Sequence, residues 1–292
     1  MINWMKYRLV YFALSAIVIG VGVFSLFKWG LVLGVDFTGG TLLEYHVAKN
    51  ISAEELSKAV IKEGITVTSI QKTADLVYLF RTPAIDVTQK DSLKKAVEKV
   101  TGGTAIELRF ENVGPSIGPE LVKKTIFALL IAAAAILLWV AYQFKSFKFG
   151  VSAVLAMFHD SLVLLGLFSL FGHLWGAEID FLFVTAMLTI LSFSVHDTIV
   201  VYDRIRESHH KIGGEVKDLA NKAVTETMVR SFNNSMTIVF MLLALVLLGG
   251  TTTKWFAVAL LVGTISGTYS SPFVAVPILV IWDEIEKKLK RR

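Results

Sequence analysis

The sequence contains no cysteine, only five prolines in 292 residues, and a modest 18% of charged residues. Without cysteine the chain can form neither disulfides nor thiolate metal sites. The net charge of +5 is not concentrated on one soluble face, so a nucleic-acid partner is not expected. Apolar residues are abundant instead. They make up 54% of the chain, against about 45–50% in soluble domains, and this excess predicts membrane-spanning helices.

The motifs of common enzyme classes are also missing. The sequence has no H-E-x-x-H motif and no nucleophile turn that would serve a Ser-His-Asp arrangement. The Gly-rich stretch Gly34–Gly40 lacks the phosphate-binding patterns, so it predicts a tight turn and no nucleotide cofactor. Two His-Asp pairs, at 159–160 and 196–197, are too sparse to indicate a metal. We therefore predict no cofactor, no metal and no covalent catalysis.

Six apolar stretches are long enough to cross a bilayer, since about 20 helical residues span roughly 30 Å of hydrocarbon. The first also raises the alternative of a cleaved signal peptide, but it is too long and no A-x-A site follows it. The predicted spans are Leu9–Phe27, Thr125–Phe144, Phe149–Phe171, Phe181–Tyr202, Met228–Leu248 and Trp255–Trp282.

The distribution of basic residues predicts the orientation, because lysine and arginine concentrate in cytoplasmic loops. Both termini, the loop between spans two and three, and the loop between spans four and five are basic, whereas the short loops opposite hold only Lys254. Both termini are therefore predicted to be cytoplasmic. The residues that carry this bias are Lys6, Arg8, Lys145, Lys148, Arg204, Arg206, Lys211, Lys217, Lys222, Lys287, Lys288, Lys290, Arg291 and Arg292.

A small domain is predicted between the first two spans, at residues 31–120, with membrane parts at 1–30 and 121–292. Its predicted order is βαββαβ, which is that of the ferredoxin-like α+β fold. A Gly/Pro-rich stretch at 113–120 predicts a hinge back to the membrane. The fold class is thus a polytopic α-helical membrane protein with an extracytoplasmic ferredoxin-like domain. The predicted elements are strands at Thr41–Val47, Thr66–Lys72, Leu76–Thr82 and Thr104–Phe110, helices at Ser52–Glu63 and Asp86–Val100, and a hairpin turn at Thr73–Asp75.

Three charged residues fall inside predicted spans: Asp160, Asp197 and Arg230. An ionisable group in a bilayer costs a few kcal/mol or more, so each is a functional candidate. Both Asp197 and Arg230 lie on polar stripes of their helices, and the two side chains meet if the stripes face each other. Alternatives remain open. Asp197 can snorkel to the surface, Arg230 can pair with Glu226 and lipid phosphate, and Asp160 can make a helix–helix hydrogen bond.

Further polar residues near these positions are accessory candidates. His196 precedes Asp197, and Asp203 marks the point where the fourth span is expected to leave the membrane. The amphipathic segment Glu215–Glu226 is predicted to lie along the cytoplasmic surface. In the last span, Gly263–Gly267 forms a G-x-x-x-G pattern, which predicts close helix packing.

Taken together, several stretches resemble the SecDF family of protein-export membrane proteins, within the resistance-nodulation-division superfamily. The chain resembles the smaller half of that family over nearly its whole length. The matching stretches are Gly34–Gly40 with Asp36, Gly39 and Gly40, Val113–Gly118, His159-Asp160, and Asp197–Glu207.

The resemblance implies a subunit that works with a SecD-like partner beside a SecYEG-type channel in a prokaryotic cytoplasmic membrane. Such a subunit uses proton motive force to assist a translocating polypeptide. It also implies that Asp197 and Arg230 belong to a transmembrane proton path, and we include Asp160 as a further candidate. Two departures from the family pattern add titratable groups, because His196 replaces an asparagine and Glu226 a glutamine.

Two other functions compete with this one. The chain can be half of a proton-driven exporter of small molecules or lipids, although such exporters usually carry two halves and larger domains. It can also be a structural subunit, in which the intramembrane charges only pack.

Overall fold

A computed structural model describes residues 2–114 and 117–290. Two units make up the chain: Leu33–Ile126 forms one, and Met1–Val32 with Phe127–Arg292 forms the other. Of the predicted hinge at 113–120, residues 115 and 116 lie outside the described residues.

Within Leu33–Ile126, a four-stranded antiparallel sheet has the order β2-β3-β1-β4. Along the chain its elements follow the order βαββαβ after a short helix. They are α2 (Val35–Thr38), β1 (Gly40–His46), α3 (Ala53–Lys62), β2 (Ser69–Ala74), β3 (Val77–Thr82), α4 (Val87–Thr101) and β4 (Ile106–Val113).

One face of this sheet is covered by α3 and α4. Alternate residues of β1 and β3 point to that face and form a core with the apolar side of each helix. The β2–β3 turn is Asp75-Leu76, with Leu76 at φ 59°, so the predicted turn at Thr73–Asp75 was placed too early because β2 continues to Ala74. The core residues include Leu43, Tyr45, Tyr78, Phe80, Leu56, Val60, Leu93 and Val97.

Among the described residues, six helices are long and apolar enough to cross a membrane, as predicted. The helix α1 follows a short 3₁₀ turn, and the last span is broken by a π-helical segment. The helices are α1 (Arg8–Trp29), α5 (Ile117–Gln143), α6 (Phe147–Trp175), α7 (Phe181–Ile212), α8 (Val216–Leu248), α9 (Thr251–Ser270) and α10 (Val276–Lys290), with the π segment at Ser271–Ala275.

The amphipathic segment Glu215–Glu226, predicted to lie along the cytoplasmic surface, is continuous with the fifth span. The chain from Val216 to Leu248 is one helix, α8. No glycine or proline interrupts this stretch, and Leu219, Ala220 and Ala223 are buried in the core that also holds Met5. The first half of α8 is thus held by packing and is a direct extension of the span.

The G-x-x-x-G pattern of α9 packs against α7, as predicted. A Cβ built on Gly267 would lie 3.2 Å from the Cα of Ser194, and one built on Gly263 would clash with Ile190 at 2.2 Å. The missing side chains allow the two helices to approach closely at the level of Ser194. This contact places the polar residues of α9 beside those of α7.

Candidate functional site

Asp197 lies on α7, with only 3% of its surface exposed. Within the described part of the chain its Oδ2 atom has no hydrogen-bond partner, and Ser231 of α8 lies close to the carboxyl group. A buried polar atom without a partner is costly and marks a place where an ion, a water molecule or a proton can bind. Asp197 is therefore buried, as expected for a functional residue, and it does not snorkel to the surface.

Arg230 is exposed on α8, and among the described residues no hydrogen bond or ion pair joins it to Asp197. The expectation that the two side chains meet does not hold in this structure. Successive residues of a helix are about 100° apart, and it is the next residue, Ser231, that faces Asp197. The spacing of polar residues thus identified the helix that lies beside Asp197, but it indicated Arg230 where the structure has Ser231.

The accessory candidates occupy other places. Glu226 forms an ion pair with Arg204 of α7, and among the described residues no ion pair joins it to Arg230. Asp203 accepts a hydrogen bond from Arg206 at 2.6 Å, close to the end of α7. His196 is exposed on α7. None of these three residues contacts the Asp197 carboxylate through a hydrogen bond in the described structure.

Asp160 is completely buried on α6, and its carboxyl group accepts three serine hydrogen bonds and makes a fourth with His159. Ser266 donates to Oδ1 at 2.6 Å, and Nδ1 of His159 lies 3.0 Å from the same oxygen. Ser194 and Ser270 donate to Oδ2, each at 2.6 Å. We call these five residues the Asp160 cluster. They join α6, α7 and α9. The alternative predicted for Asp160, a helix–helix hydrogen bond, is therefore present, and it extends to two neighbouring helices.

The cluster continues to the first helix through the second ring nitrogen of His159. Nε2 of His159 lies 3.0 Å from Oγ of Ser15 on α1, and Ser15 donates to Tyr269 of α9 over 3.4 Å. The hydroxyl of Tyr269 donates to the backbone carbonyl of Tyr11. An apolar cavity of 370 Å³ between α1, α6 and α9 opens onto His159 and Ser15.

A second layer of polar residues lies one turn further along α7, beside the start of the π segment. The hydroxyls of Thr198 and Ser271 are 3.0 Å apart, and Ser271 also donates to the Ser194 carbonyl. On the other side of the segment, Tyr202 donates to the Ala275 carbonyl at 3.3 Å. Both ends of the π segment are thus bound to α7.

An open volume lies beside Ser231 of α8. This cavity of 260 Å³ is lined by Ser231 and Thr227 of α8, Thr268 of α9 and Pro272 of the π segment, together with apolar side chains. Sequence reasoning missed the serines of α9, although Ser266 and Ser270 share one helix face at a spacing of four.

Asp36, Gly39 and Gly40 lie in Leu33–Ile126, and the two glycines have local structural roles. Gly40 has φ 117°, and a Cβ there would lie 2.7 Å from the Thr82 carbonyl oxygen. Gly39 ends α2 with φ 71°. Asp36 lies in the first turn of α2, a four-residue helix. The glycines therefore close the junction of α2 and β1 over the end of β3.

Within the described ranges 2–114 and 117–290, no group of three or more His, Cys, Asp or Glu side chains is close enough to hold a metal ion. Two buried carboxyl groups lie in these helices: that of Asp197, one oxygen of which has no partner in the described structure, and that of the Asp160 cluster. A bundle of six long apolar helices with buried charged residues defines a polytopic membrane protein.

Two protein-family models match this chain. The model for the C-terminal region of the protein export membrane proteins SecD and SecF matches residues 92–285, and the SecD/SecF GG motif matches residues 24–51. The chain belongs to the SecD/SecF family of protein export membrane proteins.

Individual relatives agree with the family. The protein translocase subunit SecF of Thermobaculum terrenum is 39% identical, over 97% of this chain and 94% of the relative. That of Vibrio alginolyticus is 36% identical, over 94% and 87%. The crystal structure of SecDF from Thermus thermophilus, a translocon-associated membrane protein, matches with a TM-score of 0.85 and 30% identity, over 97% of this chain. The chain spans only 39% of that SecDF polypeptide.

Proposed function

We propose that this chain is a SecF-like subunit that assists protein translocation across the cytoplasmic membrane. The observation that carries the proposal is the similarity to proteins named protein translocase subunit SecF over almost their entire length. Because the chain matches 39% of a solved SecDF polypeptide, the remainder corresponds to a partner, which we propose is a SecD-like subunit. A SecYEG-type channel and a translocating polypeptide complete the proposed assembly. The chain is an accessory transport subunit and performs no covalent chemistry.

The coupling ion is proposed to be a proton, and Asp197 its carrier. A carboxyl group that is buried in a membrane, with one oxygen lacking a partner, is suited to bind and release a proton. Arg230 modulates Asp197 in this proposal. It precedes Ser231, so a rotation of α8 by about 100° brings its guanidinium toward the carboxylate and favours the charged form. Arginine suits this role because it stays charged throughout.

The proton gradient supplies enough energy for such a rearrangement. Each charge moved across 100 mV provides about 2.3 kcal/mol, which changes the ratio of two conformations roughly fiftyfold. The 260 Å³ cavity beside Ser231 is where α8 has room to shift.

For the soluble part, we propose that residues 31–120 form an extracytoplasmic ferredoxin-like domain, and that both termini are cytoplasmic. The four-stranded antiparallel sheet covered by two helices supports the fold. Its surface is proposed to contact the emerging polypeptide or the soluble domain of the partner.

Export of a secreted reporter from cells tests the proposal, with and without an uncoupler. Asp197→Asn keeps the shape of the side chain and removes its titration, so it should abolish the gradient-dependent part of export while co-purification with the partner persists. Asp203→Asn is the matched control, because Asp203 is exposed and paired with Arg206. Arg230→Lys should also impair export, since a lysine can lose its proton.

Two results would contradict the assignment. The first is an Asp197→Asn variant that exports like the parent and remains sensitive to the uncoupler. The second is export that survives the uncoupler but collapses when the sodium gradient is removed, because the coupling ion would then be sodium.

A further inference from the structure

The 370 Å³ cavity between α1, α6 and α9 has a buried floor and an exposed rim. Val163 and Ser266 line its floor and are only 7% and 8% exposed, whereas Leu14 and Ile265 line its rim and are 51% and 54% exposed. The cavity therefore opens on the outer surface of the helix bundle, between α1 and α9.

This cavity lies well inside the membrane spans. Leu14 and Val18 follow the start of α1 at Arg8 by six and ten residues, which is about 9 and 15 Å along the helix axis. Val163 is the seventeenth of the 29 residues of α6. The hydrocarbon core of a bilayer is about 30 Å thick, so the mouth of the cavity faces lipid hydrocarbon and not the headgroups.

The lining of the cavity carries nothing that a charged or polar ligand needs. None of the described residues that line it is a lysine, arginine, aspartate or glutamate. Its four polar side chains already have hydrogen-bond partners within the protein. Ser15 and His159 bond each other at 3.0 Å. Tyr269 donates to a backbone carbonyl of α1 at 2.8 Å, and Ser266 donates to a carboxyl oxygen of α6 at 2.6 Å. The cavity therefore fits an apolar ligand.

The size of the cavity fits part of a hydrocarbon chain. An apolar cavity of about 150 Å³ in a protein interior stays dry and binds benzene, and this one is more than twice as large. A transmembrane helix is about 10 Å across with its side chains and is too wide to enter. A flexible chain of methylene groups is narrow enough, and by filling the space it restores the packing contacts that a void forfeits.

The rim also argues against a second helix as the occupant. The side chains at the mouth are large and branched: Leu14, Val18 and Ile265. Contacts between membrane helices favour small residues, which let the backbones approach closely, and α9 uses Gly263 and Gly267 in this way against α7. The exposed rim of the described structure has no such residue, so a lipid chain fits it better than a helix does.

We propose that this cavity binds one acyl chain of a membrane phospholipid, with the end of the chain against the Ser15–His159 pair. The inference goes beyond the proposed function and depends only on the membrane location of the helices. The bound chain completes the packing between α1, α6 and α9, where the described side chains leave a gap. The headgroup of the lipid lies outside the cavity, at the membrane surface.

Photo-crosslinking of the full-length chain in lipid nanodiscs tests the proposal. The probe is a phosphatidylcholine with a diazirine at the end of one acyl chain, mixed into unlabelled phosphatidylcholine, and adducts are located by mass spectrometry. Val163 should be modified although it is buried, because it lines the floor of the cavity. Val184 of α7 is the control, since it is 6% exposed and does not line the cavity, and it should stay unmodified. Absence of adducts at Val163 in a sample where the exposed Leu9 of α1 is labelled would overturn the proposal.

A substitution that fills the cavity separates binding there from labelling of the outer surface. Val262→Phe adds a ring to the lining on α9, so adducts at Val163 should be lost while those at Leu9 persist. Val21→Phe is the matched control, because Val21 is exposed on α1 and lies outside the cavity, and labelling of Val163 should remain in it. Leu167→Phe narrows the same space from α6 and replaces Val262→Phe if that variant does not fold. Unchanged labelling of Val163 in a folded filling variant would contradict the site.

Two further measurements distinguish a lipid chain from other occupants. Labelling of Val163 should persist when the chain is co-purified with its SecD-like partner, whereas loss of labelling in the complex alone would show that the partner covers the mouth and would overturn the proposal. In delipidated detergent solution, added phosphatidylcholine should raise the thermal midpoint of the parent and of Val21→Phe, since a ligand that binds only the folded state stabilises it. The midpoint of Val262→Phe should rise less. An equal rise in all three proteins would mean that lipid acts only on the outer surface of the bundle, and the site would be rejected.

Discussion

Gly22 of α1 and Gly166 of α6 face each other with no side chain between their backbones. A Cβ built on Gly166 would lie 2.4 Å from the Gly22 Cα, and one built on Gly22 would lie 2.9 Å from the Gly166 Cα. Further along the same helices, Ser25 donates a hydrogen bond to Ser169 at 2.9 Å. Small residues at such a crossing allow backbones to approach closely in lipid, so this pair sets the distance between α1 and α6.

Adding a methyl group at this crossing should destabilise the bundle. Gly166→Ala forces α1 and α6 apart, and overpacking of this kind costs about 1–3 kcal/mol. Gly20→Ala is the matched control, because nothing lies within 4 Å of a Cβ at Gly20 and alanine is the better helix former by about 1 kcal/mol. Thermal unfolding in detergent should show a lower midpoint for the first variant only. Equal midpoints would contradict the close contact.

Gly40 should tolerate substitution less well than another glycine with positive φ. Gly40→Ala combines φ 117° with a contact of 2.7 Å to the Thr82 carbonyl oxygen, whereas Gly102 has φ 69° and open space around it. Gly102→Ala therefore carries only the backbone cost of about 1–2 kcal/mol, and Gly40→Ala should exceed it. Amide hydrogen exchange of β1 and β3 in the full-length chain measures the difference. Equal protection in both variants would show that the contact with Thr82 is unimportant.

The stability of the first turn of α4 should depend on pH because of the ionisable cap Asp86. The Gln89 backbone N–H donates to Asp86 at 2.8 Å, and this hydrogen bond holds the pKa of Asp86 below its usual value. A group whose pKa is lowered by folding stabilises the fold above its unfolded pKa, and this stabilisation is lost as the pH falls through the folded pKa. Asp86→Asn keeps the cap without the charge. It should speed exchange of the α4 amides at neutral pH, and this difference should shrink below about pH 4.

The control for this prediction removes the other half of the cap. The Gln89 side chain accepts from the Asp86 backbone N–H at 3.1 Å, and Gln89→Ala breaks that bond without changing any charge. Its effect on the exchange rates should be the same at every pH, once the intrinsic pH dependence of exchange is corrected. A pH-dependent effect in Gln89→Ala would mean that Asp86 is not the source of the dependence.

The proposed orientation is open to single-cysteine labelling, because the chain has no cysteine of its own. Lys58 and Lys211 have side chains that are 68% and 69% exposed, so they form a matched pair. In intact cells an impermeant thiol reagent should modify Lys58→Cys and leave Lys211→Cys unmodified until the membrane is opened. The reverse pattern would invert the topology and place residues 31–120 in the cytoplasm.

Much of the fold is predictable because its signals are local. Apolar runs identify the six spans, and the capping residues Ser52 and Asp86 mark the starts of α3 and α4. The ends of the helices were less predictable. The α8 helix continues back to Val216 because its first turns pack on Met5, and the backbone N–H of Met5 donates to Asn221, 216 positions away.

The functional residues were predictable by type more than by contact. A charged residue within an apolar run is visible in the sequence, which is why Asp160 and Asp197 were identified. The hydrogen-bond partners of Asp160 were not identified from the sequence. Ser194, Ser266 and Ser270 become donors to Asp160 only when three helices converge. Arg230 shows the limit of spacing arguments, since one residue's difference in rotation decides whether it or Ser231 faces Asp197.

The π segment at Ser271–Ala275 makes the last span sensitive to the number of its residues. A turn with i→i+5 pairing encloses one residue more than an α turn. Deleting one residue there would restore α pairing and rotate everything beyond it by about 100°. Asp283 of α10, which now lies 2.7 Å from Lys148 of α6, would face elsewhere. The extra residue thus rotates α10 relative to α9 about their common axis, and this rotation allows each part of the interrupted helix to face its own set of neighbours.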